Sequence, residues 1–285
     1  MNPIRLNKRT RKIVGNTVAY VILIFFSVLF LVPLVWMVFT SFKDYAQNNA
    51  YPPSFLPDPW YWGNYGEALF EVIPYFRYFF NSVLIVVIGV IATVVTCTMV
   101  AYGFARFHCR ENKVFFVIVL STMMLPTQVT MISSYWIWAQ VQLVDTYVPL
   151  LIGSFFGGSA FYIFMVRQFI MSVPKDFEEA ARVDGAGTVR IFLTIVLPVL
   201  KPALAAVAIF SFQGFWNDYM GPLIYIKDPD LYTVAQALTL YQMPQETLWG
   251  DMMAAALVTI LPIVFCFAFC QKYFIQGITL GGVKG

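Results

Sequence analysis

Charges are nearly absent from long stretches of this chain. Ile13 to Phe42 lies between Lys12 and Lys43 without a charged residue, and Tyr78 to Ala105 lies between Arg77 and Arg106 in the same way. Val114 to Val144, Thr146 to Val166, Pro202 to Ile226 (interrupted only by Asp218) and Met252 to Gln271 repeat the pattern. About 20 apolar residues in a helix cross a ~30 Å hydrocarbon core, and a backbone in lipid must satisfy its own hydrogen bonds. The runs lack the alternation that barrel strands need. The expectation is an all-α membrane protein with six transmembrane helices, at about 13–42, 78–105, 114–144, 146–172, 200–226 and 252–274. These form one transmembrane domain over 13–275, between a tail at 1–12 and a tail at 276–285. Composition agrees: of 285 residues, 60% are hydrophobic and 12% charged, against roughly 25% charged in soluble domains.

Lysine and arginine set the orientation. The first tail, the segment after the second run, the segment after the fourth and the C-terminal tail together hold fifteen of the 18 basic residues. The positive-inside rule places these segments, and both termini, in the cytoplasm. The basic residues flank loops and form no stripe, so no nucleic-acid partner is implied. The basic start followed by an apolar run is too long for a signal peptide and reads as an uncleaved first span. Cys97, Cys109, Cys266 and Cys270 read as small packing residues, without enough neighbouring ligands for a metal. The one histidine, His108, reads as a solvated loop residue. No set of catalytic side chains and no phosphate loop is present, so an enzyme is not expected.

Outside, the loop from Asp44 to Phe76 is rich in proline and aromatic residues. A short helix from Asn64 is expected, and Trp60, Tyr61 and Trp62 suit a membrane interface. A tight turn is expected around Asp145.

The loop at 173–198 interrupts the apolar pattern with "PKDFEEAARVDGAGTVRIFLTIVLP". Ser172 can cap and Pro174 can start a helix, with Asp176, Glu178 and Glu179 near its positive end. Glu178 and Arg182 are spaced to pair on its surface. Gly185 can end it in a left-handed turn, Thr188 can cap a second helix, and Pro198 ends or kinks that one. Two readings fit the physics: an interfacial loop joining two spans, or a docking surface for another protein.

The spacing E-A-A, three residues, G, nine residues, I, one residue, L-P is met by Glu179, Ala180, Ala181, Gly185, Ile195, Leu197 and Pro198. It resembles the EAA loop of permease subunits of ATP-binding-cassette importers. "AYGFAR" and "MMLPTQV" are similar to the permease core of that family, and "FWNDYMGPLI" and the ending "YFIQGITLGGVKG" are similar to its carbohydrate, maltose-type branch. The resemblance implies a type I importer permease fold in a prokaryotic cytoplasmic membrane. It implies a coupling helix whose contacts with a separate ATPase dimer are Glu179, Ala180, Ala181, Arg182, Asp184 and Gly185. It also implies a second permease chain as heterodimer partner, an extracytoplasmic solute-binding protein, and ATP and magnesium held by the ATPase rather than by this chain. An importer of a non-sugar solute would carry the same loop. An ion-coupled transporter is the more distant alternative, opposed by the missing inverted repeat and the single carboxylate deep in a span.

That carboxylate is Asp218. With Gln213, Trp216, Asn217 and Tyr219 it suits a path for polyols, because aromatic faces stack on sugar rings and amides and carboxylates bind hydroxyls. Packing or gating is the competing reading of the same residues. By the same resemblance, the last outside loop, at Tyr241, Gln242, Met243, Pro244 and Gln245, reaches toward the binding protein.

Overall fold

The computed structural model describes residues 8–107 and 109–282, with side chains over 14–107 and 109–269. His108, the side chain of Cys270, the start of the 1–12 tail and the end of the 276–285 tail lie outside the described residues. Among the described residues the secondary structure is helical, and the one β-bridge joins Gln242 to Thr247. Four helical segments are long and apolar enough to cross a membrane: Val14–Ser41, Tyr75–Arg106, Val148–Ser172 and Trp249–Phe269. The number rises to six if each of two bent pairs is one span.

The bends have local causes. The 114–144 run, expected as one straight span, is two helices: α3 (Asn112–Ser121, extended by a 3-10 turn to Met124) and α4 (Thr127–Gln140), meeting at 100°. Pro126 lies at the joint. It forces Leu125 out of the helical region, to φ −84° and ψ 118°, and it offers no N–H to continue the ladder. The second pair is Thr188–Val199 and Lys201–Trp216, bent by 76°. Here a π-turn at Phe192–Val196 precedes Pro198, the kind of widened turn that accommodates a missing donor. Gly157 and Gly158 adopt φ +96° and +64° within the fourth run, a conformation that glycine alone takes without strain.

By internal contacts the chain divides into two units. One comprises Met1–Ile73 with Tyr241–Val258. Its long helix α1 (Lys8–Ser41) leaves apolar side chains exposed from Val14 to Trp36, as a lipid-facing helix does. The loop beyond it is held by aromatic stacking: Phe42 lies 5.2 Å from Trp60 and 4.6 Å from Trp62, centroid to centroid. The expected short helix is present as Gly63–Gly66, continued by a π-turn through Val72.

The other unit comprises Pro74–Leu240 with Thr259–Gly285. Its axis is α2 (Tyr75–Arg106), packed against α5 (Ala160–Ser172) and α7 (Lys201–Trp216). Cys97, Ala101, Val166, Ile170, Ile191, Val196, Leu200 and Val207 form one buried cluster there. Cys97 is therefore a packing residue as expected. Cys109 is not: it is exposed, with its thiol donating to Glu111 Oε2 at 2.8 Å. The final helix, α8 (Trp249–Gly282), contributes to both units.

Candidate functional site

The segment that breaks the apolar pattern forms α6 (Asp176–Val183). The helix starts after Lys175, and Ser172 does not cap it. Ser172 Oγ instead donates to the Phe169 carbonyl at 2.7 Å. Asp176, Glu178 and Glu179 occupy the first turn, where negative charge is favoured. The helix ends as the sequence predicts. Gly185 takes φ +81°, its N–H donates to the Arg182 carbonyl at 3.0 Å, and the Ala186 N–H donates to Ala181 at 2.9 Å. Those two bonds make a Schellman turn, which only glycine closes cheaply. Thr188 is the first residue of the next helix rather than its cap, which is Gly187.

The expected surface pair of Glu178 with Arg182 does not form. Glu178 is buried, at 2% exposure, and its Oε1 accepts from Arg106 Nε at 2.6 Å. Arg106 Nη2 donates to the Val173 carbonyl at 2.9 Å. The last arginine of α2 thus holds α6 from beneath, through both a side chain and the backbone before it. Ala181 packs beside this brace, against the buried cluster. Glu179, Ala180, Arg182, Asp184 and Gly185 stay exposed, as do Phe177 and Val183. Val183 is 89% exposed and Phe177 61%, two apolar side chains among the charges of this helix. The segment is therefore rigid on one face and unpartnered on the other.

A pocket of about 310 Å³ lies elsewhere in the same unit, with Leu150 and Phe215 among its walls. Asp218 lines it, together with Thr93, Ser154, Ser159, Tyr162 and Ser211. Four separate parts of the chain converge there. Asp218 Oδ1 accepts from the Gly221 N–H at 3.0 Å, so its carboxylate also starts the short helix Met220–Tyr225 after α7 ends at Trp216. This interrupts the run expected to span 200–226. Gly158 gives the pocket its width, since a Cβ there would sit 2.8 Å from Thr93 Cγ2.

Of the residues that the sequence predicts for this path, only Asp218 lines the pocket. Trp216 is buried away from it, donating Nε1–H to the Thr259 carbonyl at 3.1 Å and stacking on Phe212. Gln213 and Asn217 are exposed, and Tyr219 is half-buried. The hydroxyls of Thr93, Ser154, Ser159, Tyr162 and Ser211 were missed because single hydroxyls in apolar runs look like packing. Ser211 had a signal: it lies seven residues before Asp218, on the same face of the single helix expected over 200–226.

The loop at 241–247 belongs to the first unit. Tyr241 is fully buried, and its hydroxyl donates to the Ala68 carbonyl at 2.7 Å. It anchors a small hairpin closed by the Gln242–Thr247 bridge. Gln242, Met243, Pro244 and Gln245 form the exposed tip.

Residues 98–280 match the family model described as "Binding-protein-dependent transport system inner membrane component". That stretch contains the brace, α6 and Asp218. The chain belongs to this family. Among its relatives, the probable ABC transporter permease protein YurM of Bacillus subtilis (strain 168) is 32% identical over 278 residues, covering 97% of this chain and 91% of that one. The arabinooligosaccharides transport system permease protein AraQ of Halalkalibacterium halodurans is 31% identical over 271 residues, covering 94% and 95%. The fold matches a chain in the crystal structure of a bacterial ABC transporter involved in the import of the acidic polysaccharide alginate. The TM-score is 0.83 at 24% identity, covering 96% of this chain and 100% of that one. The permease is thus an inner-membrane transport component, and its relatives are permeases rather than enzymes.

Proposed function

We propose that the permease forms half of the translocation pathway of an ATP-driven importer of a sugar or oligosaccharide, and that α6 is where a separate ATPase drives it. The observation that carries this reading is the exposed face of α6, held rigidly from beneath by the buried Arg106–Glu178 pair. A helix so braced passes force applied at Glu179, Ala180, Ala181, Arg182, Asp184 or Gly185 directly into α2. A loop serving only as a connection would need no buried ion pair, whose desolvation is costly.

In this reading six spans cross the membrane, each bent pair counting as one, with both termini and 173–198 in the cytoplasm. The excess of basic residues on that side supports the orientation. ATP and magnesium bind in the ATPase dimer. A second, homologous permease completes the pathway, and an extracytoplasmic binding protein delivers the solute to the hairpin at Gln242–Gln245. The sugar assignment draws on the arabinooligosaccharide and alginate transporters among the relatives. The hydroxyl-lined pocket around Asp218 also favours it, having the mixed donors and acceptors that polyols need.

Affinity purification of the permease from its own membranes in mild detergent, with mass identification, tests the reading. An ATPase, a second permease and a sugar-loaded binding protein are expected. Recovery of the chain alone or as a homo-oligomer would overturn it and shift attention to ion coupling at Asp218.

A further inference from the structure

The unit made by Met1–Ile73 and Tyr241–Val258 contains a cavity of its own, about 340 Å³. Three carboxylates line it, Asp44, Glu67 and Asp251, with the rings of Tyr45, Tyr61 and Trp249. No basic side chain joins them. Lys43, the nearest in sequence, is turned away: its ammonium donates to the Ser54 carbonyl and lies 4.7 Å from the centre of the Trp36 ring.

Asp251 is the decisive residue. It is only 6% exposed, and its Oδ1 has no hydrogen-bond partner. A buried, unpaired carboxylate oxygen is costly. The amide donors around it are already spent. The Asn64 amide donates to the Ser41 and Lys43 carbonyls at 2.9 and 2.7 Å, and the Asn48 amide to Thr40 and Lys43 at 3.4 and 3.1 Å. The Tyr61 hydroxyl donates to Glu67 Oε1. The cavity therefore offers three carboxylates and aromatic faces with few free donors, which favours a donor-rich cation. The walls are closely built: a Cβ on Gly250 would strike the Asn64 side chain, and one on Gly63 the Tyr61 ring.

A metal ion does not fit, because among the described residues no three His, Cys, Asp or Glu side chains are grouped to hold one. A guanidinium fits better. It is planar, presents five donors to separated carboxylates and stacks on aromatic rings. We propose that this cavity receives a guanidinium or ammonium group, from either a basic side chain of the docking extracytoplasmic protein or a free organic cation. The side-chain source rests on the importer reading; the chemistry of the cavity does not.

Calorimetric titration of agmatine into the full chain in lipid nanodiscs tests the chemistry. Wild type should bind, and Asp251→Asn and Glu67→Gln should each weaken binding about tenfold, as loss of a charged hydrogen bond does. Two variants guard against one that misfolds. Equal affinity in wild type and both folded variants, or no binding by wild type, would overturn the proposal, leaving Asp251 as a charge that merely faces the helix N-terminus. A second titration uses the binding protein that copurifies. If agmatine weakens its association with the wild-type transporter, the source is a basic side chain. If association is unchanged while agmatine binds, the source is a free cation. Failure of the importer reading would leave the agmatine result standing.

Discussion

Glu178 and Arg106 are 72 residues apart in sequence and 2.6 Å apart in space, with side chains 3% and 5% exposed. Through this pair the exposed segment at 176–183 becomes part of the long helix beneath it. Arg106→Met leaves the Glu178 carboxylate buried without its partner, an error that costs about 3–5 kcal/mol. Glu178→Met with Arg106→Met should recover part of that loss, because no charge is left stranded. Thermal unfolding in detergent distinguishes the cases. A double variant as unstable as the sum of the singles would show that the pair is not coupled.

Glu179 is exposed beside this brace, and its carboxylate makes no hydrogen bond or ion pair among the described residues. Glu179→Lys should leave insertion and thermal stability near wild type but lower solute-stimulated ATP hydrolysis by the assembled transporter at least about tenfold, a loss of ~1.4 kcal/mol in coupling. Wild-type stimulation in that variant would separate α6 from the ATPase.

The pocket around Asp218 makes a second, independent prediction. Ser211→Phe puts an apolar ring into the pocket of about 310 Å³. Uptake should fall sharply while copurification of the partners is retained. Gln213→Ala and Trp216→Phe, outside the pocket, should reduce uptake much less. Equal effects at all three positions would remove the pocket from the path.

The hairpin tip is separable from its anchor. Deleting Met243, Pro244 and Gln245 should weaken delivery from the binding protein without affecting stability. Tyr241→Phe, which loses the 2.7 Å bond to Ala68, should instead lower the melting temperature, by an amount fitting a net hydrogen bond of about 1 kcal/mol. Unchanged uptake in the deletion would dismiss the tip as a contact.

Asp145 gives a dependence on pH. Its Oδ1 accepts from the Lys227 and Asp228 N–H groups, both at 2.8 Å. Hydrogen bonds from Asp228 and then Lys227 hold its carboxyl below the ordinary aspartate value. A depressed folded value means that this clasp contributes fully above the unfolded value of about 3.9. Its contribution is lost as pH falls through the lower folded value. The difference in melting temperature between wild type and Asp145→Asn should be constant near pH 6 and shrink below about pH 4. A difference that grows with acid would show the sign to be wrong. The effect should be small, because the carboxylate is exposed to solvent.

The sequence by itself determined the membrane class, because lipid excludes charge and each long apolar run therefore announces itself. It also determined α6 and its end, since the first-turn acids and Gly185 act over a few residues, although the start lies at Asp176 and not at the Ser172 cap. The identity of the family was legible for the same reason: its motif is a local spacing. Tertiary structure decided what such local rules cannot see. Glu178 has Arg182 four residues away and yet pairs with Arg106, because burial at the end of α2 favours a bond that also satisfies Val173. Trp216 sits beside Asp218 in the chain but points into packing, while Thr93, Ser159 and Tyr162 reach Asp218 from distant segments. Asp251 reads as an ordinary first-turn acid until the fold closes Asp44, Glu67 and three aromatic rings around it. Periodicity and charge are carried along the chain, but convergence of polar groups in space depends on how the helices bend and pack.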